Sequence, residues 1–354
     1  MGIQAGIVGA SGFAGIELTR RLIEHPSFDL AVITSDADAG KPLAEVYPCF
    51  TGMSDLVFAQ RDTPELQQCD VVFLAVPHTV ALGIVPGLLA AGISVFDLSA
   101  DYRLKNPTTY EHWYGVRHTS PELLPEAAFG LPELCPDEIE RATQKHVAGD
   151  PVLVACAGCY PTASSLAAYP AVHADITTGM VNIQAVSGVT GAGRKATART
   201  HYCAATENIE AYGASGHRHT PEIEQILGLP GQVVFVPHLA PLERGLLSTV
   251  TMQLKGHAAA LYDVEKLQNL YEDFYHNSAF VSVLPAGEMP RTSSVVGTNR
   301  AHVGVAYQER RRTLIASCAI DNLGKGAADQ AVQCANLVFG LPETEGLNTV
   351  AVPL

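Results

Sequence analysis

The apolar positions of the first 150 residues fall in short runs separated by stretches of helical spacing. Residues 4–8 (QAGIV), 30–34, 70–76 (DVVFLAV) and 94–98 (SVFDL) are strand-like runs. Ala14, Leu18 and Leu22 repeat at the interval that lines one face of a helix, which predicts a helix over 13–25. A second helical stretch, 79–91, separates the third run from the fourth. Strands and helices alternating in this way predict a parallel, doubly wound sheet, because parallel neighbours need a crossover between them. Residues 105–134 are rich in Pro, Tyr and His and read as connecting loops, and 151–155 (PVLVA) as a further strand.

The pattern then changes. Long β-type runs at 180–187, 232–237, 247–254, 303–308 and 313–321 outnumber helical stretches at 162–169, 221–227 and 264–275. That balance predicts an α+β domain with a mostly antiparallel sheet. Residues 326–339 read as a strongly amphipathic helix. The expected organisation is a doubly wound α/β domain over 1–150 and an α+β domain over 151–325, with the closing helix in 326–354.

Composition narrows the partners. Hydrophobic residues make up 47% and charged residues 16%, enough for large cores and too little charge for disorder. A net charge of −14 opposes nucleic acid and anionic membranes, so neither is expected as a partner. A small anion remains compatible, because a local cluster of Arg, Lys and amide groups overrides the global field. The start, MGIQAGIVGASG, lacks the cationic flank and unbroken apolar run of a signal peptide, and no run is long enough to span a bilayer. The eight cysteines are scattered. They read as reduced thiols in a cytoplasm.

Gly9, Gly12 and Gly15 stand between the first strand and the first helix in GASGFAG, with Ala10, Ser11 and Phe13 among them. Glycine there permits a tight turn and close approach to a pyrophosphate, and the helix start offers free N–H groups. A bare tight turn is the alternative, and the strand–turn–helix placement favours the dinucleotide. The second strand ends at Thr34, Ser35 and Asp36. Ser35 and Lys41 suit a 2′-phosphate and Asp36 and Asp38 oppose one, so these residues leave NAD and NADP balanced.

Cys159 lies in ACAGCYPT, after a strand and just before Pro161 and Thr162, which read as a helix opening. At a helix N-terminus the dipole and unbonded N–H groups stabilise a thiolate, the form in which cysteine is a nucleophile. Cys156 completes a CxxC, but a redox pair starts a helix with both thiols, and Cys156 reads as the end of a strand. A metal site joining these cysteines to His217 and His219 lacks ligand spacing, so no metal is expected. In HRHTPE, Thr220 and Pro221 read as a helix cap and first turn. His217 and His219 therefore precede a helix, where one can serve as acid/base with Glu222 orienting it, or both are simply solvated. Ser187 and Gly188 open SGVTGAGRK, a glycine-rich loop that ends in Arg194 and Lys195 and suits a phosphate or carboxylate.

At these residues the chain resembles the N-acetyl-gamma-glutamyl-phosphate reductase family of arginine biosynthesis. The resemblance runs nearly end to end, through GASGFAG, VFDLSADYRL (95–104), AGCYPTA (157–163), SGVTGAGRK (187–195), HRHTPEI (217–223), RGLLSTV (244–250) and DNLGKGAADQAVQCAN (321–336). One departure is Ala157, where the family commonly has Pro before Gly-Cys. The resemblance implies a Rossmann-type NADP domain that the closing helix rejoins, and a catalytic and oligomerisation domain that assembles into a dimer or tetramer. It implies that Cys159 attacks an acyl phosphate, that NADPH reduces the thioester, and that a histidine moves the proton, His217 before His219. It also implies cofactor contacts at Ser35, Pro77, Ser187, Gly188 and Asn322, and substrate contacts at Arg103, Tyr160, Arg194 and Lys195. Three rivals stand beside it. Aspartate-semialdehyde dehydrogenase shares the glycine loop and the thioester, but HRHTPEI and GVTGAGRK point away from it. A nucleotide-binding regulator without chemistry would not need Cys159, and a CxxC oxidoreductase would need Cys156 equally.

Overall fold

The computed structural model describes residues 2–353. The chain forms two compact units, one of residues up to Ala157 together with Ala327–Leu347, the other Gly158–Gly326 together with residues from Asn348 on.

The first unit opens with β1 (Ile3–Val8), α1 (Phe13–Ile23), β2 (Phe28–Thr34), α2 (Leu43–Val46), β3 (Phe58–Ala59) and β4 (Val71–Leu74). It continues with α3 (Val85–Ala90), β5 (Ser94–Asp97), α4 (Pro107–Tyr114), β6 (Ala128–Gly130), α5 (Pro136–Val147) and β7 (Leu153–Cys156). The strands form one sheet in the order β3-β2-β1-β4-β5-β7-β6, and every pairing is parallel. Its strands β4, β5 and β7 are buried on both faces, which is why they read as largely apolar runs. The strand order turns back between β1 and β4, the switch point beside which open α/β sheets hold their ligands.

Two expectations fail here for local reasons. The stretch 79–91 is a 3-10 turn at Ala81–Gly83 followed by the short α3, which restarts around Pro86, a residue with no N–H to continue a helix. The stretch 105–134 holds α4 and β6. Asn106 caps α4 by accepting from the N–H groups of Thr108 (2.8 Å) and Thr109 (3.3 Å), Pro107 opens it, and Gly115 ends it at φ 70.

The second unit runs α6 (Cys159–His173), β8 (Thr177–Gly188), α7 (Tyr202–Ala205), β9 (Glu210–Ala211), α8 (Thr220–Leu227), β10 (Val233–Ala240) and β11 (Leu246–Leu254). There follow α9 (Gly256–Leu261), α10 (Val264–Tyr275), β12 (Val281–Val283), β13 (Ala301–Gln308) and β14 (Thr313–Ile320). The sheet order is β12-β13-β14-β11-β8-β10-β9. It is mixed: the β12/β13 and β8/β10 pairs are parallel and the rest antiparallel. Helix α6 packs on β8, β11 and β14. Pro170 sits inside α6 and removes the N–H that Leu166 C=O would accept. The Tyr275 hydroxyl supplies the missing donor at 2.7 Å, and Tyr271 donates to Ala167 C=O at 2.8 Å. These bonds secure the helix that begins at Cys159.

A π-turn, Gly324–Ala328, leads into α11 (Asp329–Val338), which packs on α1 and α5 of the first unit. Arg21 holds Asp329 with two bonds of 2.7 and 2.6 Å, both groups almost wholly buried. The amphipathic reading of this helix is corrected. Gln333 and Asn336, its polar positions, are buried and bonded to Glu133, Glu343, His25 and the Glu345 carbonyl. A polar side chain with protein partners imitates a solvent face in sequence.

Candidate active site

In the first unit the glycine loop leaves β1 at Gly9, whose φ is 88 and where a Cβ would stand 2.5 Å from the Ala75 carbonyl oxygen. At Gly15 a Cβ would meet Ala10 Cα at 2.7 Å. Backbone therefore packs on backbone, and only glycine fits. Gly12 caps α1 in extended conformation and brings no side chain to the first-turn N–H groups. A loop of this geometry, with Ala10, Ser11 and Phe13 around it, is able to cradle a pyrophosphate. Ser11 Oγ lies 2.7 Å from Ser35 Oγ, so the end of β2 borders the same loop.

The charges beside Ser35 are paired. Lys41 Nζ lies 3.0 Å from Asp38, and Arg61, which sequence reasoning missed, places Nη2 3.4 Å from Asp36. The repulsion expected from Asp36 and Asp38 is thus offset on the spot. Pro77 is exposed, just past β4. Arg103 is buried in this unit and donates to Leu98 C=O at 2.7 Å.

In the second unit Cys159 is the first residue of α6, which begins two residues earlier than Pro161 suggested. Gly158, its cap, is extended and has no side chain to compete for the helix N-terminus. The buried Glu222 of α8 accepts the Gly158 N–H at 2.8 Å, a charge-assisted bond that fixes the backbone beside Cys159. On the other side lies Gly326, where a Cβ would stand 2.6 Å from Cys159 Cβ.

The turn that carries Gly326 is anchored by Asp321. Its fully buried carboxylate accepts from Arg244 Nε (2.9 Å), forms an ion pair with Nη2 of the same guanidinium (2.9 Å), and accepts from the N–H groups of Gly297 (2.6 Å), Leu323 (2.8 Å) and Gly324 (3.2 Å). Asn322 next to it accepts from Gly245 N–H at 2.8 Å and donates to Thr190 Oγ1 at 2.9 Å. Gly188 is pressed against the Leu242 and Glu243 carbonyls, and Ser187 Oγ lies under Gly191. Ser187, Gly188 and Asn322 therefore form one group, tied to Cys159 through Gly326. Arg194 and Lys195 stand exposed at the end of that loop.

His217 sits among the rings of His219, Phe235, Tyr212 and Tyr160, with centroids 5.0, 5.4, 5.6 and 5.8 Å away. Tyr212 donates to the Tyr160 hydroxyl at 3.2 Å, and Tyr160 donates to His238 C=O at 3.0 Å. Burial raises both phenols and keeps them protonated. Burial, helped by the charge of Arg218, pushes the His217 imidazole from 6.5 down to about 4. Its Nδ1 accepts the His219 N–H at 3.2 Å, so the neutral ring carries its proton on Nε2. His219 is itself the cap of α8, one residue ahead of the expected Thr220. The ring carbons of His217 should keep one chemical shift between about pH 5.5 and 8.5, with the Nε2–H tautomer, and a midpoint near 6.5 would contradict this. Because the fold favours neutral His217, its contribution to stability is complete above pH 6.5 and is lost as pH falls towards 4.

Among the described residues no cluster of three His, Cys, Asp or Glu side chains is placed to hold a metal ion, and no helix is long and apolar enough to cross a membrane. Cys156, the last residue of β7, and Cys159 are not joined in a disulfide.

A dinucleotide cradle in one unit and a helix-start cysteine in the other define the semialdehyde dehydrogenase class. Residues 4–142 match the family model for the semialdehyde dehydrogenase NAD binding domain, and 159–322 that for the dimerisation domain. The fold is similar to crystal structures of aspartate semialdehyde dehydrogenase II from Vibrio cholerae (TM-score 0.72, 17% identity, 96% of this chain and 99% of that one). It is similar too to the Candida albicans aspartate semialdehyde dehydrogenase solved with NADP (TM-score 0.70, 17% identity, the same coverage). Curated proteins named N-acetyl-gamma-glutamyl-phosphate reductase are far more alike in sequence: those of Cellvibrio japonicus (43% identity, 99% of both chains) and Symbiobacterium thermophilum (44%, 98% of both). The chain belongs to the N-acetyl-gamma-glutamyl-phosphate reductase family.

Proposed function

We propose that this protein reduces N-acetyl-gamma-glutamyl phosphate to N-acetylglutamate 5-semialdehyde and inorganic phosphate, with NADPH as reductant. The observation that carries the reading is Cys159 at the uncapped start of α6, flanked by the Glu222 anchor and by Gly326.

The chemistry follows from these residues. The helix N-terminus favours negative charge on Cys159 Sγ. Sγ attacks the acyl carbon, an S–C bond forms, the C–O bond to the phosphoryl group breaks, and phosphate leaves. Bound NADPH supplies the hydride that reduces the thioester carbon. The C–S bond then breaks, the aldehyde departs, and Sγ recovers its electron pair. His217 is neutral with its proton on Nε2, so it donates to oxygen where charge gathers and can take the proton back. His219 supports this through its backbone N–H. Arg103, Tyr160, Arg194 and Lys195 are proposed for the substrate's carboxylate and phosphate.

The preference for NADP is supported by Lys41 and Arg61, whose pairing with Asp38 and Asp36 offsets the negative charge that would oppose a 2′-phosphate near Ser35. Assembly with further copies is supported by the second sheet. One of its faces carries α6, while the other presents the exposed Val234 and the partly exposed Val236, Val186, Leu247 and Ile315. An apolar sheet face of this kind fits a second copy of the chain. A solution mass at a multiple of 37.5 kDa is expected, and a monomer would overturn this part.

The substrate is tested in reverse at alkaline pH. Reduction of NADP⁺ with N-acetylglutamate semialdehyde should require phosphate and exceed that with NAD⁺. Turnover with aspartate semialdehyde alone would keep the mechanism and move the substrate.

A further inference from the structure

We propose that Asp101 is a positioning residue for the cofactor, acting through the turn that follows β4. The proposal rests on the first unit being the dinucleotide-binding one.

The turn runs from Pro77 to Val80 and is closed by the Val80 N–H bonding to Pro77 C=O at 3.3 Å. It leaves β4, the strand beside β1 at the switch point. Its base touches the glycine loop, since Gly9 is pressed on the Ala75 carbonyl and Ala75 N–H bonds to Val8 C=O at 2.8 Å. A ligand at the switch point meets the loops after both strands. The placement of this turn is therefore part of the placement of the cofactor.

The third residue of the turn is Thr79, at φ 75. Glycine or asparagine usually fills that position, and a β-branched residue there is an outlier. Something outside the turn must hold it. Thr79 N–H, which the turn itself leaves free, donates to Asp101 Oδ1 at 2.7 Å. The residue before it is held from the same loop: Ala100 N–H donates to His78 Nδ1 at 3.2 Å. Both central residues of the turn are thus tied to the segment after β5.

Asp101 is braced before it holds Thr79. It is fully buried, and Oδ1 also accepts from the Tyr110 hydroxyl at 2.9 Å. Its carbonyl pairs with His118 Nε2 at 2.8 Å, and its N–H donates to Ser99 Oγ at 3.2 Å. Ser99 Oγ in turn donates to buried Asp97 at 2.8 Å. Strain held by over-determined surroundings is the usual mark of a functional backbone position.

The test measures NADP⁺ affinity of the full chain by calorimetry for Asp101→Ala, Thr79→Gly and the double variant. Asp101→Ala should weaken NADP⁺ by about tenfold, the equivalent of one bond's loss. Thr79→Gly takes up the same turn without strain, so the double variant should recover most of that loss. Should Asp101→Ala not fold, Asp101→Leu, which keeps the size and removes the acceptor, reads the same coupling with and without Thr79→Gly. Wild-type affinity in both Asp101 variants, or an equal loss with and without Thr79→Gly, overturns the proposal. Wild-type protein that binds neither NADP⁺ nor NAD⁺ instead overturns the functional reading on which it rests.

Discussion

Cys159→Ser is expected to remove turnover by a factor on the order of 10⁴–10⁶ while leaving NADP⁺ affinity unchanged. Serine is close in size, so α6 keeps its start and Gly158 keeps its bond to Glu222. Its hydroxyl has a far higher pKa than a thiol, so the helix N-terminus that favours a thiolate leaves the serine un-ionised near neutral pH. The cofactor cradle lies in the first unit and shares no residue with this change. Steady-state rates and cofactor titration on the same preparation separate the two effects. Retained turnover would remove Cys159 from the chemistry. Equal losses for Cys156→Ala would favour a dithiol mechanism.

Gly326→Ala is expected to cost about a hundredfold in kcat, the loss that accompanies a displacement near 1 Å at a reacting centre. The added Cβ would stand 2.6 Å from Cys159 Cβ, 3.1 Å from Cys159 Cα and 3.2 Å from the Asp321 carbonyl oxygen. None of these neighbours can swing aside. Asp321 is fixed by Arg244 and three N–H groups, and Gly158 is fixed by Glu222. The nucleophile must therefore move. Its alkylation by iodoacetamide should slow together with kcat. A wild-type rate in Gly326→Ala would mean that the turn yields and that the contact does not place the thiol.

What the sequence made legible was what depends on the backbone locally. GASGFAG between a strand and a helix carries its own physical reason, and so does a cysteine between a strand and Tyr-Pro-Thr. The alternation of short apolar runs gave the parallel sheet, and the later change of pattern gave the second, mixed one. Asn106-Pro107 and Gly115 were readable helix punctuation around α4, hidden by the aromatic and polar residues between them. The break before α3 was marked by Gly83 and Pro86. Helix α11 was misjudged in character because its polar side chains meet buried partners, and periodicity does not distinguish these from water. Asp321 and Arg244 lie 77 residues apart, and Tyr212 reaches Tyr160 across 52, so no local pattern joins them. Asp321 and Arg244 did stand within the quoted motifs, at the first position of DNLGKG and of RGLLSTV. Arg61 had no motif, and only the fold brings it to Asp36.

The most direct measurement is the intact mass of the protein mixed with N-acetyl-gamma-glutamyl phosphate in the absence of NADPH. An added N-acetylglutamyl group mapped to Cys159, with one equivalent of phosphate released and the group discharged on adding NADPH, is the expected result. Reduction of the acyl phosphate by NADPH with no acyl group ever found on Cys159, under conditions that trap it, would contradict a thioester route.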